Sequence, residues 1–286
     1  MGPLVADNLT ERFSRSIEDY PQGIIIPVDK PYRWTSADVV RKIKFAAKKH
    51  FGQKNLKVGH AGTLDPLATG VLIICIGKAT RLAEEIQRRD KEYVAELTFG
   101  ATTPSYDLEK PIDRFFSVDG VCASSVADAL NGFLGEQEQV APLFSAKSVD
   151  GVRAYEIARR MYGTGGLDAA AKELLSIQKI NISEIELLSF IPGGEPREQE
   201  GQKIEAGEKT PSARINVTDN SSLALPRASI RVACSKGTYI RALARDIGEA
   251  LGTGAHLSGL RRTGCGEFKS DRTISVEAAA ALLAAE

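Results

Sequence analysis

Apolar positions along the chain follow two periods, one of three to four residues and one of two, and the switches between them mark its elements. Gly23 to Val28 is a β-branched run between Gly and Pro and predicts a strand. Behind Thr35 and Ser36, whose hydroxyls suit a helix start, Ala37 to His50 sets Val39, Val40, Ile43, Ala46 and Ala47 at helical spacing. Val71 to Ile76 is an unbroken apolar run and reads as a buried strand. Tyr93 to Phe99 alternates, with Tyr93, Ala95, Leu97 and Phe99 on one face and Val94, Glu96 and Thr98 on the other. Val126 to Leu134 has helical spacing. Ser145 to Val149, Asp150-Gly151 and Val152 to Tyr155 predict a hairpin on a type I′ turn, running into a helix around Ile157 and Ala158. Ile180 to Phe190 predicts a strand, Ile230, Val232 and Cys234 alternate as another, and Tyr239 to Leu251 returns to helical spacing. The interleaving of the two periods makes the class mixed α and β.

Two stretches carry no such period. Residues 1–22 read as a flexible N-terminal arm, and residues 23–286 as one domain interrupted by Pro192 to Pro226. That interruption is rich in Gly, Glu, Lys, Pro, Ser and Asn. It reads as a surface insertion, because it cannot bury enough apolar area to offset the entropy of ordering it.

Composition narrows the function classes only slightly. Among 286 residues, 37 Lys and Arg offset 37 Asp and Glu, so net charge offers no global argument for a polyanionic partner. The run at Val71 to Ile76 falls far short of the roughly 20 apolar residues that span a bilayer. The polar first 20 residues lack the apolar core of a secretory signal, so no membrane association is expected and the cytoplasm is the expected compartment. Cys75, Cys122, Cys234 and Cys265 are far apart, as are His50, His60 and His256, so small buried thiols are expected and no metal.

Charge resolved along the chain is less even. From Arg33 to Lys57 there are eight basic residues against the single acid Asp38, a local balance of +7. Such a run is either a solvated helix face or a surface for a polyanion.

The densest chemistry lies in Gly59-His60-Ala61-Gly62-Thr63-Leu64-Asp65-Pro66-Leu67-Ala68-Thr69-Gly70, which leads into the apolar strand. Three glycines and a proline mark a loop of special backbone angles, well suited to holding one carboxylate still. A phosphate-binding loop fails on spacing, because Leu72 stands where its first glycine would and Ala79 follows Lys78 where a hydroxyl is needed. By itself, Asp65 is either a turn-initiating Asp before proline or a catalytic carboxylate.

The whole segment resembles the signature of the bacterial TruB type of tRNA pseudouridine synthase, the family that modifies uridine 55 in the TΨC arm. Three further blocks match in order: Lys91-Glu92-Tyr93; Pro142 to Arg159, with Ser145, Ala146, Gly151 and Tyr155; and Cys234-Ser235-Lys236-Gly237-Thr238-Tyr239-Ile240-Arg241. The last continues through Asp246-Ile247-Gly248, Gly254-Ala255-His256-Leu257 and Leu260-Arg261-Arg262. The resemblance implies an α+β pseudouridine synthase fold, a long and mainly antiparallel mixed sheet flanked by helices with a central cleft. It also implies a cofactor-independent isomerase that breaks the C1′–N1 bond, turns the uracil and rejoins it through C5.

In that family's terms Asp65 is the nucleophile or base, Arg241 the arginine that pairs with it, and Tyr93 the ring that stacks on the target base. Tyr239 and Leu260 line the same pocket, and His60 occupies or buttresses the space left by the flipped base. Without the resemblance the alternatives stay open, a helix-surface residue for Arg241 and core aromatics for the two tyrosines. The stretch Arg33 to Lys57 then has phosphates to meet, with Lys236, Arg261 and Arg262 adding charge, and binding should weaken with salt. The implied partner is the T-arm or elbow of tRNA, with no obligate protein partner and a monomeric enzyme.

The chain departs from the family at Thr103 to Lys110, where a frequent Asp and Gly are missing while Thr103 and Asp107 remain, and at Phe144, where Tyr is common. It is also expected to lack the C-terminal RNA-binding PUA domain of many members. Competing functions are an RNA chaperone that opens the tRNA elbow, and a synthase for a different uridine.

Overall fold

The computed structural model describes residues 2–10, 12–142, 148–149, 152–153, 177–194 and 215–284. In chain order it begins with strands β1 (Leu4–Val5) and β2 (Ile24–Lys30), helix α1 (Ser36–His50), strands β3 (Val58–Ala61) and β4 (Ala68–Ile76), helix α2 (Ala83–Arg88) and strand β5 (Lys91–Phe99). There follow β6 (Ala101–Thr102), β7 (Arg114–Phe115), α3 (Ala123–Asn131), β8 (Gly135–Val140), β9 (Ser148–Val149) and β10 (Val152–Arg153). The rest comprises β11 (Ile177–Ile191), β12 (Arg227–Cys234), α4 (Ile240–Ala250), β13 (Ala255–Cys265), β14 (Phe268–Lys269), β15 (Ile274–Ser275) and α5 (Val276–Leu282). The class is α+β with a large mixed sheet. Two compact units divide the chain, one of Met1–Val94, Lys203–Ile215 and Gly259–Glu286 and the other of Ala95–Gln202 and Asn216–Ser258.

The first unit is organised around β4. Strand β2 runs antiparallel along one edge of it, from Ile24 opposite Ile76 to Lys30 opposite Gly70. The other edge is shared. Strand β3 takes Ile73 to Ile76 in antiparallel pairing, and β13 takes Ala68 to Gly70 in parallel pairing through Leu260 to Arg262. All six side chains from Val71 to Ile76 are fully buried, which is why that run is apolar without alternation. Val71, Ile73 and Cys75 pack with Ile86 and Phe268, leaving Leu72, Ile74 and Ile76 for the opposite face.

Helix α1 starts where its hydroxyls suggest, one residue earlier than the apolar spacing. Thr35 Oγ1 accepts the Asp38 N–H, and an Asp38 carboxylate oxygen accepts the Thr35 N–H, a reciprocal cap of two otherwise orphan donors. Residues 4–5, inside the stretch read as a flexible arm, pair in parallel with Ile24 and Ile25, and Ala6 and Phe13 are buried. With so few apolar residues, anchoring of this kind leaves no period to read.

In the second unit β11 lies between β12 and β8 and is antiparallel to both. The alternation of β12 holds, with Ala228, Ile230, Val232 and Cys234 buried. Strand β8 has no counterpart among the elements the sequence predicts. Its sequence Gly-Glu-Gln-Glu-Gln-Val suits a sheet border, where charged and polar side chains deter further pairing, and it shows no apolar period. In the predicted hairpin Val149 stands opposite Val152 and Ser148 opposite Arg153. Residues 150–151 and the predicted helix around 157–158 lie outside the described residues.

Three of the four cysteines are buried as expected, but Cys122 is exposed at the start of α3. There hydrogen bonds with Ser124 and Ser125 pull its thiol down to about 7.

Candidate active site

The residues singled out by sequence fall on both units. Asp65, His60, Tyr93 and Leu260 belong to the first, and Arg241, Tyr239 and Lys236 to the second.

Asp65 sits half-buried on the loop between β3 and β4. The loop turns through Gly62, at φ +93°, and closes with the Ala68 N–H on the Asp65 carbonyl at 3.1 Å. Its backbone is gripped at several points. Ser36 Oγ, in the first turn of α1, accepts the Leu64 N–H at 3.0 Å and lies 3.1 Å from the Leu64 carbonyl as donor. The Arg33 N–H donates to the Pro66 carbonyl at 2.9 Å.

Two buried cations complete the frame. Lys30 Nζ donates to the carbonyls of Pro31 at 2.9 Å, Trp34 at 2.6 Å and Pro66 at 3.2 Å. Burial pushes the Lys30 ammonium down to about 7, with the Asp65 carboxylate pulling the other way and Arg262 adding to the depression. Arg262, only 1% exposed, donates to the carbonyls of Val71 at 2.6 Å, Gly62 at 3.4 Å and Thr63 at 3.5 Å. The loop is thus fixed through its peptide groups on both sides of Asp65.

This arrangement corrects one expectation. Arg262 does not offer its charge to phosphates, because it is spent inside the protein on peptide carbonyls. Arg261 is also engaged, in a two-pronged contact with Asp29 at 2.8 and 3.2 Å. Asp29 in turn accepts the Gly70 N–H at 3.1 Å, tying β13 and the start of β4 to β2.

The other first-unit residues lie on β3, β5 and β13. His60 pairs with Ile74 across β3 and β4, and among the described residues its buried Nδ1 has no hydrogen-bond partner. Burial first, then the Arg262 charge, holds its imidazole below the usual range, so it is neutral at pH 7. Tyr93 is buried on the inward face of β5, as its alternation implies. Leu260 stands opposite Ala68, three residues after Asp65.

In the second unit Arg241 opens α4 and is 4% exposed. Its Nη1 donates to the Ser105 carbonyl at 3.1 Å, and its Nε lies 3.8 Å from an Asp107 carboxylate oxygen. Asp107 is itself fixed by the Ser105 hydroxyl at 2.6 Å and the Glu109 N–H at 2.9 Å. The divergent loop 103–110 therefore retains the acid that seats Arg241. Tyr239, half-buried, is clamped through its backbone. Gln139 Oε1 accepts its N–H at 2.8 Å, and Gln139 Nε2 donates to its carbonyl at 3.1 Å. Lys236 is exposed beside Gly237, which adopts φ +93°.

Sequence reasoning missed Lys30, Ser36, Gln139 and the role of Arg262. A lysine at the end of an apolar strand and an arginine in a basic pair both read as solvated charge, and only the fold buries them. Among the described residues, no group of three His, Cys, Asp or Glu is placed to hold a metal.

Comparison with known proteins bears on the family. The N-terminal domain of TruB family pseudouridylate synthase matches residues 48–192, and the C-terminal domain of tRNA pseudouridylate synthase B matches residues 241–286. The chain is 46% identical over 259 residues to tRNA pseudouridine synthase B of Phocaeicola vulgatus, covering 91% of this chain and 92% of that one. It is 38% identical over 257 residues to the protein of the same name from Deinococcus radiodurans, covering 88% and 77%. Among solved structures, a chain of a Cbf5–Nop10–Gar1 complex is similar with a TM-score of 0.54 and 28% identity. That match covers 94% of this chain and 59% of the solved one.

Proposed function

Given that this chain belongs to the TruB family of pseudouridine synthases, we propose that it converts uridine 55 in the T-arm of tRNA to pseudouridine. The observation that carries this reading is the loop of Asp65. Its peptide groups are held by Ser36, Lys30 and Arg262, so the carboxylate is carried on a fixed backbone.

The target uridine leaves its stack, at a cost of a few kcal/mol, and enters beside Asp65. The Asp65 carboxylate acts on the ribose, as nucleophile at C1′ or as base at C2′, and the C1′–N1 bond breaks. The uracil turns, C5 bonds to C1′, the C5 proton leaves, and N1 takes up a proton. Substrate and product are isomers, so the balance needs no oxidant, reductant or energy source.

Tyr93 supplies the face on which the free uracil rests, with Tyr239 and Leu260 as further walls. Arg241, seated by Asp107, takes the role of the family arginine that the resemblance assigns to it. Neutral His60 fills the stack the base has left, and exposed Lys236 meets backbone phosphate. Residues 23–286 form the catalytic part, and the enzyme works in the cytoplasm as a monomer; of the stretch read as an insertion, 195–214 lie outside the described residues.

The test is tritium release from tRNA labelled at uracil C5, with sequencing of the product at single-nucleotide resolution. Asp65→Asn is expected to abolish release while tRNA binding persists. Turnover in that variant, or modification at a position other than 55, overturns the reading.

A further inference from the structure

Helix α1 buries Val39, Ile43, Ala47 and His50 and turns a different face outward. Arg41, Lys44, Phe45 and Lys49 are exposed on it, with Lys48 half-buried beside them. Phe45 is 76% exposed, more than any other large hydrophobic side chain among the described residues.

Two features of this face lack an internal explanation. Arg41, Lys48 and Lys49 are the helix neighbours of Phe45, at i−4, i+3 and i+4, and Lys44 adjoins it in sequence. Among the described residues Lys44, Lys48 and Lys49 form no ion pair, whereas Arg41 meets Asp38 and Lys42 meets Glu277. Like charges one turn apart destabilise a helix, and an aromatic ring left in water forgoes its burial energy. A polyanion carrying flat apolar rings removes both costs. A second copy of this chain would set one cationic face against another.

The position is suitable as well. Ser36, the first residue of α1, is hydrogen-bonded to Leu64, next to Asp65. Phe45 follows nine residues later, roughly 14 Å along the helix at 1.5 Å per residue. A polynucleotide with one nucleotide in the site extends well beyond that distance.

We propose that the outward face of α1 is a second RNA contact surface. Phe45 stacks on an unpaired base of the substrate away from the target uridine, while Lys44, Lys48 and Lys49 take the adjoining phosphates. This rests on the RNA substrate proposed above and adds to it a place and a chemistry of contact.

The experiment compares the full chain with Phe45→Ala, Phe45→Trp and the triple variant Lys44→Gln, Lys48→Gln, Lys49→Gln. Each is titrated with transcribed tRNA and with its isolated T-arm hairpin over a range of salt. The triple variant is expected to flatten the slope of log K against log salt by about 2, at roughly 0.7 to 0.9 for each phosphate that is no longer neutralised. Phe45→Ala is expected to weaken binding and raise KM by roughly five- to a hundredfold with the slope unchanged, and Phe45→Trp to restore both. Affinities and slopes equal to those of the unaltered chain overturn the proposal. So does a dimer that Phe45→Ala dissociates without loss of RNA affinity. If these binding signatures appear but the unaltered chain releases no tritium, the surface stands and the uridine 55 reading fails.

Discussion

Ser36 and Leu64 exchange hydrogen bonds in both directions through one hydroxyl, at 3.0 and 3.1 Å, although 28 residues separate them in sequence. The residue before Asp65 is thereby pinned to the first turn of α1. Replacing Ser36 with Ala leaves a buried N–H and a buried carbonyl without partners. The expected loss is about 1–3 kcal/mol of stability. Because the same bonds position Asp65, kcat should fall while KM for tRNA changes little. Denaturant titration and steady-state kinetics measure the two effects, and a kcat equal to that of the parent chain contradicts the positioning role.

Asp107 seats Arg241 with a salt-bridge contact of 3.8 Å at a site where both side chains are nearly buried. Asp107→Asn keeps the shape but removes the charge. Breaking one partner of a buried pair costs about 3–5 kcal/mol when the other charge is left uncompensated. The variant should therefore melt earlier and lose at least tenfold in kcat, readable by calorimetry and tritium release.

Gly70 adopts φ +97°, and a Cβ there would stand 2.2 Å from the Arg262 carbonyl oxygen and 2.9 Å from its nitrogen. Backbone cannot move aside as a side chain can. Gly70→Ala is expected to destabilise by several kcal/mol, combining left-handed strain with overpacking. Soluble yield and thermal midpoint test this. Gly52, also left-handed at φ +62° but with open space around its Cβ position, is the control, and Gly52→Ala should cost far less.

The buried bases set the dependence of stability on pH. Burial first holds His256 below the usual imidazole range, and burial with the Arg262 charge does the same for His60. As pH falls through about 6.5 the unfolded chain takes up protons that the folded chain refuses, so their stability is complete above that value and lost below it. Lys30 titrates near 7 when folded against an ordinary 10.5. Between those values the unfolded chain binds more protons, so stability should rise with pH across that interval. Urea midpoints from pH 5 to 10 follow both limbs. Lys30→Met should flatten the alkaline limb and His256→Gln the acid one.

Much of this was legible in the sequence where the physics is local. The helix start at the Thr35 and Ser36 hydroxyls, the alternation of Tyr93 to Phe99 and the unbroken run at Val71 to Ile76 each follow from neighbours in the chain, and each element is present. Strand β13 gives no such signal, because it is buried along part of its length and pairs with β4 some 190 residues away. The loop around Asp65 announces itself through its glycines and proline. What holds it does not, since the contacts of Lys30 and Arg262 arise only once β2 and β13 lie on either side of β4. Arg261 and Arg262 look alike in sequence. One reaches the half-exposed Asp29 and the other is sealed against peptide oxygens, a distinction made by the two-residue period of a strand.

Because Lys30 and Arg262 grip carbonyl oxygens, the scaffold is indifferent to which side chains the loop displays. Thr63 and Leu67 hang from a backbone secured elsewhere, so their identity is open to alteration without unseating the carboxylate between them. The placing of Asp65 and the identity of those two side chains are in this sense separable in the molecule. A library randomised at those two positions should therefore keep the fold and the backbone of residue 65, which thermal midpoints of its members would check.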